Sequence, residues 1–141
     1  MIKDFKKTAI VTSQGEISYR SMLQHIDHFA THTPKGEDKK TIIFSENREG
    51  WIYAFFSIWK NGGIAIPVDA SSTAQDLAYI LKDSGSQCIW TSDAGQVGTR
   101  FEDGHEVFIH RKLAENGFFL GQVAHAQTGS KVHRKPGYVF A

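Results

Sequence analysis

TIIFSENREGWIYAFFSIWKNGGIAIPV, residues 41–68, is the stretch that decides the fold. It opens on Thr41-Ile42-Ile43-Phe44-Ser45, a short apolar run rich in β-branched side chains, as in a strand buried on both faces. Asn47 is placed to cap a helix, with Glu49 in the first turn, where the helix dipole favours an anion. The helix is expected to run to about Asn61. Trp51, Ile52, Phe55, Ile58 and Trp59 give it a wide apolar face, with Trp51 and Trp59 packing it onto the sheet. Gly62 suits the left-handed position just past the helix end, and Gly63 lets the next strand, Ile64-Ala65-Ile66-Pro67-Val68, start close by.

The same alternation continues on both sides. Upstream, Thr8 to Thr12 reads as a short strand and Ser13-Gln14-Gly15-Glu16 as a turn. Ser18 then caps a helix whose Met22, Leu23, Ile26, Phe29 and Ala30 share one face at 3.6 residues per turn, closed by Pro34 and Gly36. Downstream, Ser72 is expected to cap a helix carrying Leu77, Ala78, Ile80 and Leu81 and ended by Gly85; Gln87 to Thr91 forms the next strand. Strand, helix, strand, helix, strand with short connections predicts parallel βαβ units, hence an α/β fold with a mostly parallel sheet and helices on both faces.

Composition bounds the function. At 141 residues, 40% hydrophobic and 12% aromatic, the chain suits one globular core. A net charge of +1 gives no reason to expect a nucleic-acid surface. No apolar run reaches the roughly 20 residues of a membrane span, and Ala9 to Val11 is too short for a secretory signal. The single cysteine, Cys88, excludes an internal disulfide and fits a cytoplasmic location. Charge is uneven: residues 1–103 carry two more acidic than basic residues, 104–141 three more basic than acidic, and four of the seven histidines lie in the second part. This shift places an expected boundary near Gly104, between an N-terminal unit of residues 1–103 and a divergent tail of residues 104–141. Val107-Phe108-Ile109 reads as one more strand. The segment after about Gly121 reads as loosely held and partly disordered, because its apolar residues are scattered among glycines, histidines and charges.

Three stretches together resemble the adenylate-forming (AMP-binding) superfamily of acyl-CoA synthetases, luciferases and nonribosomal-peptide adenylation domains. They are Gly15-Glu16-Ile17-Ser18-Tyr19, then Asn47, Trp51, Gly62, Gly63, Pro67 and Val68, then Leu77-Ala78-Tyr79-Ile80-Leu81-Lys82-Asp83-Ser84. The resemblance covers about residues 5 to 94 and is absent from about Glu102 onward. It implies an enzyme that activates a carboxylic acid with ATP, releases pyrophosphate and transfers the acyl group to a thiol, with magnesium and CoA as further requirements and fatty acid metabolism as a setting. The family's phosphate loop, rich in Ser, Thr and Gly and bearing a Lys, surrounds a polyanion with N–H groups and hydroxyls. Thr128-Gly129-Ser130-Lys131 is the nearest segment and lacks the length and the second glycine pair.

The expectation is therefore an N-terminal fragment of an ATP-dependent acid:CoA ligase, inactive alone, with no catalytic, cofactor-binding or metal-binding residue of its own. A truncated or frameshifted gene, an expression fragment or a divergent linker would each account for the tail. Its partners would be the remainder of the ligase or a second copy of itself, with no nucleic acid and no membrane span. The alternative is a non-catalytic, stand-alone binding or interaction module derived from that fold, and whether the chain is itself an enzyme stays open. His25, His28 and His32 recur at i, i+3 and i+7 and offer two or three nitrogens to a metal, but no supporting carboxylate or second ligand cluster accompanies them, and they read as a solvated helix face. Cys88 reads as an inert core residue. Ser84-Gly85-Ser86 lacks the pattern of a hydrolase nucleophile elbow, and no Gly-x-Gly-x-x-Gly opens a helix, which disfavours a nicotinamide dehydrogenase. Lys131 to Lys135 reads as a solvated basic cluster.

Overall fold

The computed structural model describes residues 6–93, 106–115 and 118–124. The chain begins with a hairpin, β1 (Thr8–Thr12) against β2 (Gly15–Ser18). The expected turn is thus only Ser13-Gln14, because Gly15 pairs with Thr12 and Glu16 with Val11. Thr12 Oγ1 fastens the turn, accepting from the Gln14 N–H at 3.1 Å and donating to the Gly15 carbonyl at 3.0 Å. Ser18 caps α1 (Tyr19–His32) as expected, its hydroxyl accepting from the Ser21 N–H at 3.1 Å. Met22, Ile26, Phe29 and Ala30 are buried, and Leu23 is half-buried.

Strand β3 (Lys40–Phe44) leads into α2 (Glu49–Lys60), and α2 into β4 (Ile64–Val68). Two details of the sequence reading are corrected here. The N-cap is Arg48 rather than Asn47, and no side chain bonds the cap; Glu49 does stand in the first turn. The buried stripe is Gly50, Tyr53, Ala54, Ser57 and Ile58, one position round from the expected one: Trp51, Ile52 and Phe55 are half-buried, and Trp59 is 67% exposed. Large apolar residues on every side of the helix leave hydrophobicity unable to choose the face. Close approach chooses it, since only the Gly50, Ala54 and Ser57 side lets the helix backbone near the sheet.

The end of α2 follows expectation. The Gly62 N–H donates to Trp59 O at 2.9 Å and the Gly63 N–H to Ile58 O at 3.0 Å, with Gly62 at φ +79°. This is the paired closure that satisfies the last carbonyls of a helix. A Cβ on Gly63 would lie 2.9 Å from the Lys39 carbonyl oxygen, so the strand starts where only glycine fits.

Helix α3 (Ala74–Ser84) is capped by Thr73 rather than Ser72. Thr73 and Asp76 exchange side-chain to backbone hydrogen bonds at 3.1 and 3.3 Å, a reciprocal capping box; Ser72 and Gln75 have the same spacing in sequence, but the helix starts one residue later. Gly85, at φ +68°, ends the helix as expected, and β5 (Cys88–Thr91) follows. Two further strands lie beyond: β6 (Glu106–Glu115), which contains the expected Val107–Ile109 strand, and β7 (Phe118–Ala124).

The sheet order is β4-β3-β5-β7-β6. Strands β4, β3 and β5 are parallel neighbours, β7 is antiparallel to β5, and β6 is antiparallel to β7. Four of the five strands therefore point the same way, and the α/β class with a mostly parallel sheet holds. Helices cover both faces. On one, α1 and α2 pack against Ile43, Cys88, Trp90, Phe118 and Leu120. On the other, Leu77 and Leu81 of α3 meet Ile42, Phe44, Val68, Ile89, Val107 and Val123.

The compositional change near Gly104 does not coincide with an end of the sheet. Strand β7 inserts between β5 and β6, with Phe118 and Leu120 wholly buried and Gly121 to Ala124 buried as well. Charge balance counts surface residues, whereas strand pairing depends on the alternate inward ones. The remainder of the segment expected to be loosely held, residues 125–141, lies outside the described residues.

Candidate functional site

The strand order creates a crevice. The β3–α2–β4 crossover carries the chain to one side of β3, and β4–α3–β5 brings it back to the other side, with α2 and α3 on opposite faces. Where the direction of winding reverses, the loops leaving the two central strands diverge, and open α/β sheets bind ligands in that gap, outside the carboxyl ends of the strands. The gap here has a volume of about 240 Å³ and is lined by Phe44 at the end of β3, Ser45, Glu46 and Arg48 after it, Ala70 after β4, and Ser92 and Asp93 after β5.

Its floor is tied together. Ser92 Oγ donates to Ser45 Oγ at 3.1 Å, and Ser45 Oγ donates to the Glu46 carbonyl at 2.8 Å. The Asp93 N–H donates to Thr91 Oγ1 at 2.9 Å, which turns the chain out of β5. Arg48 reaches 4.0 Å from Glu46 Oε1 and lies over the Phe118 ring, 5.9 Å from its centre. Beside the crevice, Asp69 accepts from the Ser71 N–H at 2.8 Å and from the Ser71 hydroxyl at 2.9 Å; these bonds, the N–H first, hold its carboxyl below the usual range.

A second, larger groove of about 660 Å³ lies between the β1–β2 turn and the start of α2, with residues 10–14 on one wall and residues 46–49, Trp51 and Ile52 on the other. Glu46 and Arg48 belong to both spaces.

The donor set decides what this region can hold. A nucleotide triphosphate needs converging N–H groups and cations. Among the described residues the crevice offers two carboxylates, Glu46 and Asp93, against one guanidinium that already faces Glu46. These residues do not fit a polyphosphate. Among the described residues no group of three or more His, Cys, Asp or Glu is placed to hold a metal ion, and no helix is long and apolar enough to cross a membrane.

The residues singled out in the sequence fall elsewhere. His25 stacks on Tyr53 with ring centres 4.8 Å apart, while His28 and His32 approach each other, so the three do not converge. Cys88 is fully buried; desolvation raises its thiol from 9.0 to about 12 despite a Thr41 hydroxyl 3.4 Å from Sγ, which leaves it no nucleophile. Ser84 and Ser86 bond each other at 2.7 Å around the end of α3. Thr128-Gly129-Ser130-Lys131 and Lys131 to Lys135 lie outside the described residues. The crevice itself escaped the sequence reading. Its signal was the β-α-β-α-β alternation, but locating it requires the strand order, which alternation does not give.

Comparison with known proteins agrees with this fold. The profile of the AMP-binding enzyme family matches residues 3–130, further than the motifs at residues 5 to 94 reach. Bacitracin synthase 3 of Bacillus licheniformis is 26% identical over 102 residues, covering 70% of this chain and 2% of the synthase. The chain thus spans a small fraction of that relative's length. Among solved structures, NpsA-ThdA, an artificially fused adenylation-PCP di-domain NRPS from Klebsiella oxytoca, matches with a TM-score of 0.60 at 17% identity, over 64% of this chain and 18% of that one. The O-succinylbenzoate coenzyme A synthetase MenE of Bacillus subtilis, in complex with AMP, matches with a TM-score of 0.53 at 19% identity, over 58% and 22%. At such identities the structural likeness concerns the fold alone, but the family profile covers most of the sequence: the chain belongs to the AMP-binding enzyme family.

Proposed function

We propose that this chain is the N-terminal α/β unit of an adenylate-forming ligase, which joins a carboxylic acid to AMP with release of pyrophosphate and passes the acyl group to a thiol. The match of the family profile from residue 3 to residue 130 carries the reading. An acid:CoA ligase acting in fatty acid metabolism is one form of it. A ligase that adenylates an acid as part of a larger synthase, as the likeness to a bacitracin synthase suggests, is another, and both share the adenylation step. ATP, magnesium and CoA would be held by parts of the ligase beyond the crevice described above. A single, deeply buried cysteine favours a reducing compartment such as the cytoplasm.

Alone, the chain is expected to be inactive, because electrostatic stabilisation of the transferring group is usually the largest catalytic contribution and the described residues supply no polyphosphate cradle. ATP–pyrophosphate exchange tests this with fatty, aryl and amino acids. The expected result is no exchange by the chain alone and acid-dependent exchange by a polypeptide that continues through a phosphate loop. Exchange by the purified chain above a no-protein blank overturns the inactivity.

A second reading, a non-catalytic interaction module, draws on α2. Trp51 stacks on Phe55 at 5.5 Å, Phe55 meets Phe56 at 5.4 Å, and Phe56 meets the exposed Trp59 at 5.9 Å. A helix apolar on all sides is normally covered on all sides. Sedimentation of the chain alone discriminates: a monomer at micromolar concentration leaves the ligase reading, and a tight self-association abolished by Trp59→Lys favours the module.

A further inference from the structure

The hairpin turns an edge to the larger groove. One wall of that groove is the unbroken run of residues 10–14, and among the described residues none of β2 lines it. A face of the hairpin would contribute alternate residues from both strands, because successive side chains of a strand point to opposite sides. A consecutive run from one strand means that β1 borders the groove with its backbone. Thr12 and Gly15 flank the two-residue turn and share its hydrogen bond, and Val11 stands opposite Glu16. Antiparallel pairing alternates, so Val11 directs its N–H and C=O away from β2 and toward the groove. Among the described residues no other backbone group meets them.

The opposite wall sets the chemistry of an occupant. Its carboxylates are Glu46 and Glu49, and its cation is Arg48, which reaches 4.0 Å from Glu46. Glu49 is half-buried and meets no cation among the described residues, so the groove keeps an acidic excess. Ile10, Trp51 and Ile52 add half-buried apolar surface between the walls. An extended segment beside β1 alternates its side chains, apolar ones onto that surface and a cation toward Glu49. Strand β1 has five residues, about 17 Å at roughly 3.4 Å each, and the segment is of similar length. A second copy does not fit, because its β1 carries β2 on the far side, where the wall of residues 46–52 stands. Strand β7 leads the chain away from the groove: Gln122 lies opposite Cys88 at the start of β5, whereas the groove lies beyond the end of β3.

We propose that the edge of β1 and the start of α2 form a docking groove for a basic, extended segment of a separate polypeptide, which adds to β1 as a third strand through Val11 and sets a Lys or Arg against Glu49. In strand addition main-chain bonds supply the affinity and alternate side chains the selectivity. The proposal does not depend on the ligase reading.

Panning a random heptapeptide display library against the chain, then measuring the selected peptides by fluorescence anisotropy, tests it. The selected peptides should carry Lys or Arg among apolar residues at alternate positions and should bind less tightly as salt rises. Val11→Pro removes the outward N–H and leaves the pairing with β2 intact, the side chain being 74% exposed. It should weaken these peptides about tenfold or more at an unchanged urea midpoint, and Val11→Thr should not. Glu49→Gln should flatten the salt dependence. Should Val11→Pro lower the midpoint, methylating the peptide's backbone nitrogens one at a time serves instead, with loss of binding expected at alternate positions only. No enriched sequence, a preference for acidic peptides, or binding indifferent to both Val11→Pro and methylation overturns the proposal, as does a dimer of the chain that Val11→Pro dissociates. It also falls if a polypeptide that continues through a phosphate loop binds none of the peptides, since a later segment of the ligase then fills the groove; that outcome leaves the ligase reading standing.

Discussion

The indole Nε1 of Trp90 donates to Thr33 Oγ1 at 2.9 Å, tying the centre of the sheet to the end of α1. Thr33 Oγ1 also donates to the Phe29 carbonyl at 2.8 Å and lies 3.1 Å from Ser57 Oγ on α2. One buried hydroxyl thus joins α1, α2 and β5. Thr33→Val keeps the shape but leaves the fully buried Trp90 N–H without its acceptor. An unmet buried donor costs about 1–3 kcal/mol, so the urea midpoint should fall, while Thr33→Ser should stay close to the parent. Equal midpoints for Thr33→Val and the parent would show that the contact contributes nothing.

Gly50, in the first turn of α2, lies flat against the Phe118 ring, and a Cβ there would overlap Cδ1 and Cε1 of that ring. Gly50→Ala should destabilise by about 1–3 kcal/mol through overpacking, although alanine is the better helix former. Combining it with Phe118→Leu should cost less than the sum of the two single changes, because the residues share one contact. Strict additivity in denaturant melts would separate them.

Gly62 presents a different case. Among the described residues nothing lies within 4 Å of a Cβ built on it, so the constraint seen there is φ of +79°. Gly62→Val should destabilise by more than about 1 kcal/mol from backbone strain. Gly62→Asn should cost less, since asparagine visits that region readily. Matching urea midpoints for the valine variant and the parent would contradict the closure described for α2.

Burial raises the Cys88 thiol to about 12, from 9.0. The folded state therefore favours the protonated thiol. Its contribution is complete below pH 9.0 and declines as pH rises from there toward about 12, where the folded form also ionises. Stability measured across that range should fall less steeply in Cys88→Ala. A thiol reagent at mildly alkaline pH should label Cys88 only as fast as the chain opens, and labelling at the rate of a free thiol without denaturant would contradict its placement.

Local chemistry was legible where one residue type suffices. Ser18, Gly62 and Gly85 mark helix ends through a hydroxyl or a positive φ, and the structure places all three there. Two caps were misplaced by one residue: Asn47 gave way to Arg48, which makes no side-chain cap bond, and Ser72 to Thr73, because Ser72 with Gln75 and Thr73 with Asp76 have the same capping-box spacing. The face of α2 was misread because apolar residues surround it. The crevice between Ser45 and Ser92 depends on which strands are neighbours, a property of the assembled sheet that periodicity along the chain does not encode.

The insertion of β7 between β5 and β6 has a consequence for synthesis on the ribosome. All four residues of β5 are buried, yet one side of that strand is closed by Phe119 to Gln122, made some thirty positions later. At the usual pace of translation the nascent chain waits roughly 2–6 s with that side open. During this interval the strand is a template for any other extended chain nearby. A released chain that ends just before Phe118 should thus engage chaperones, and one that continues through Ala124 should not.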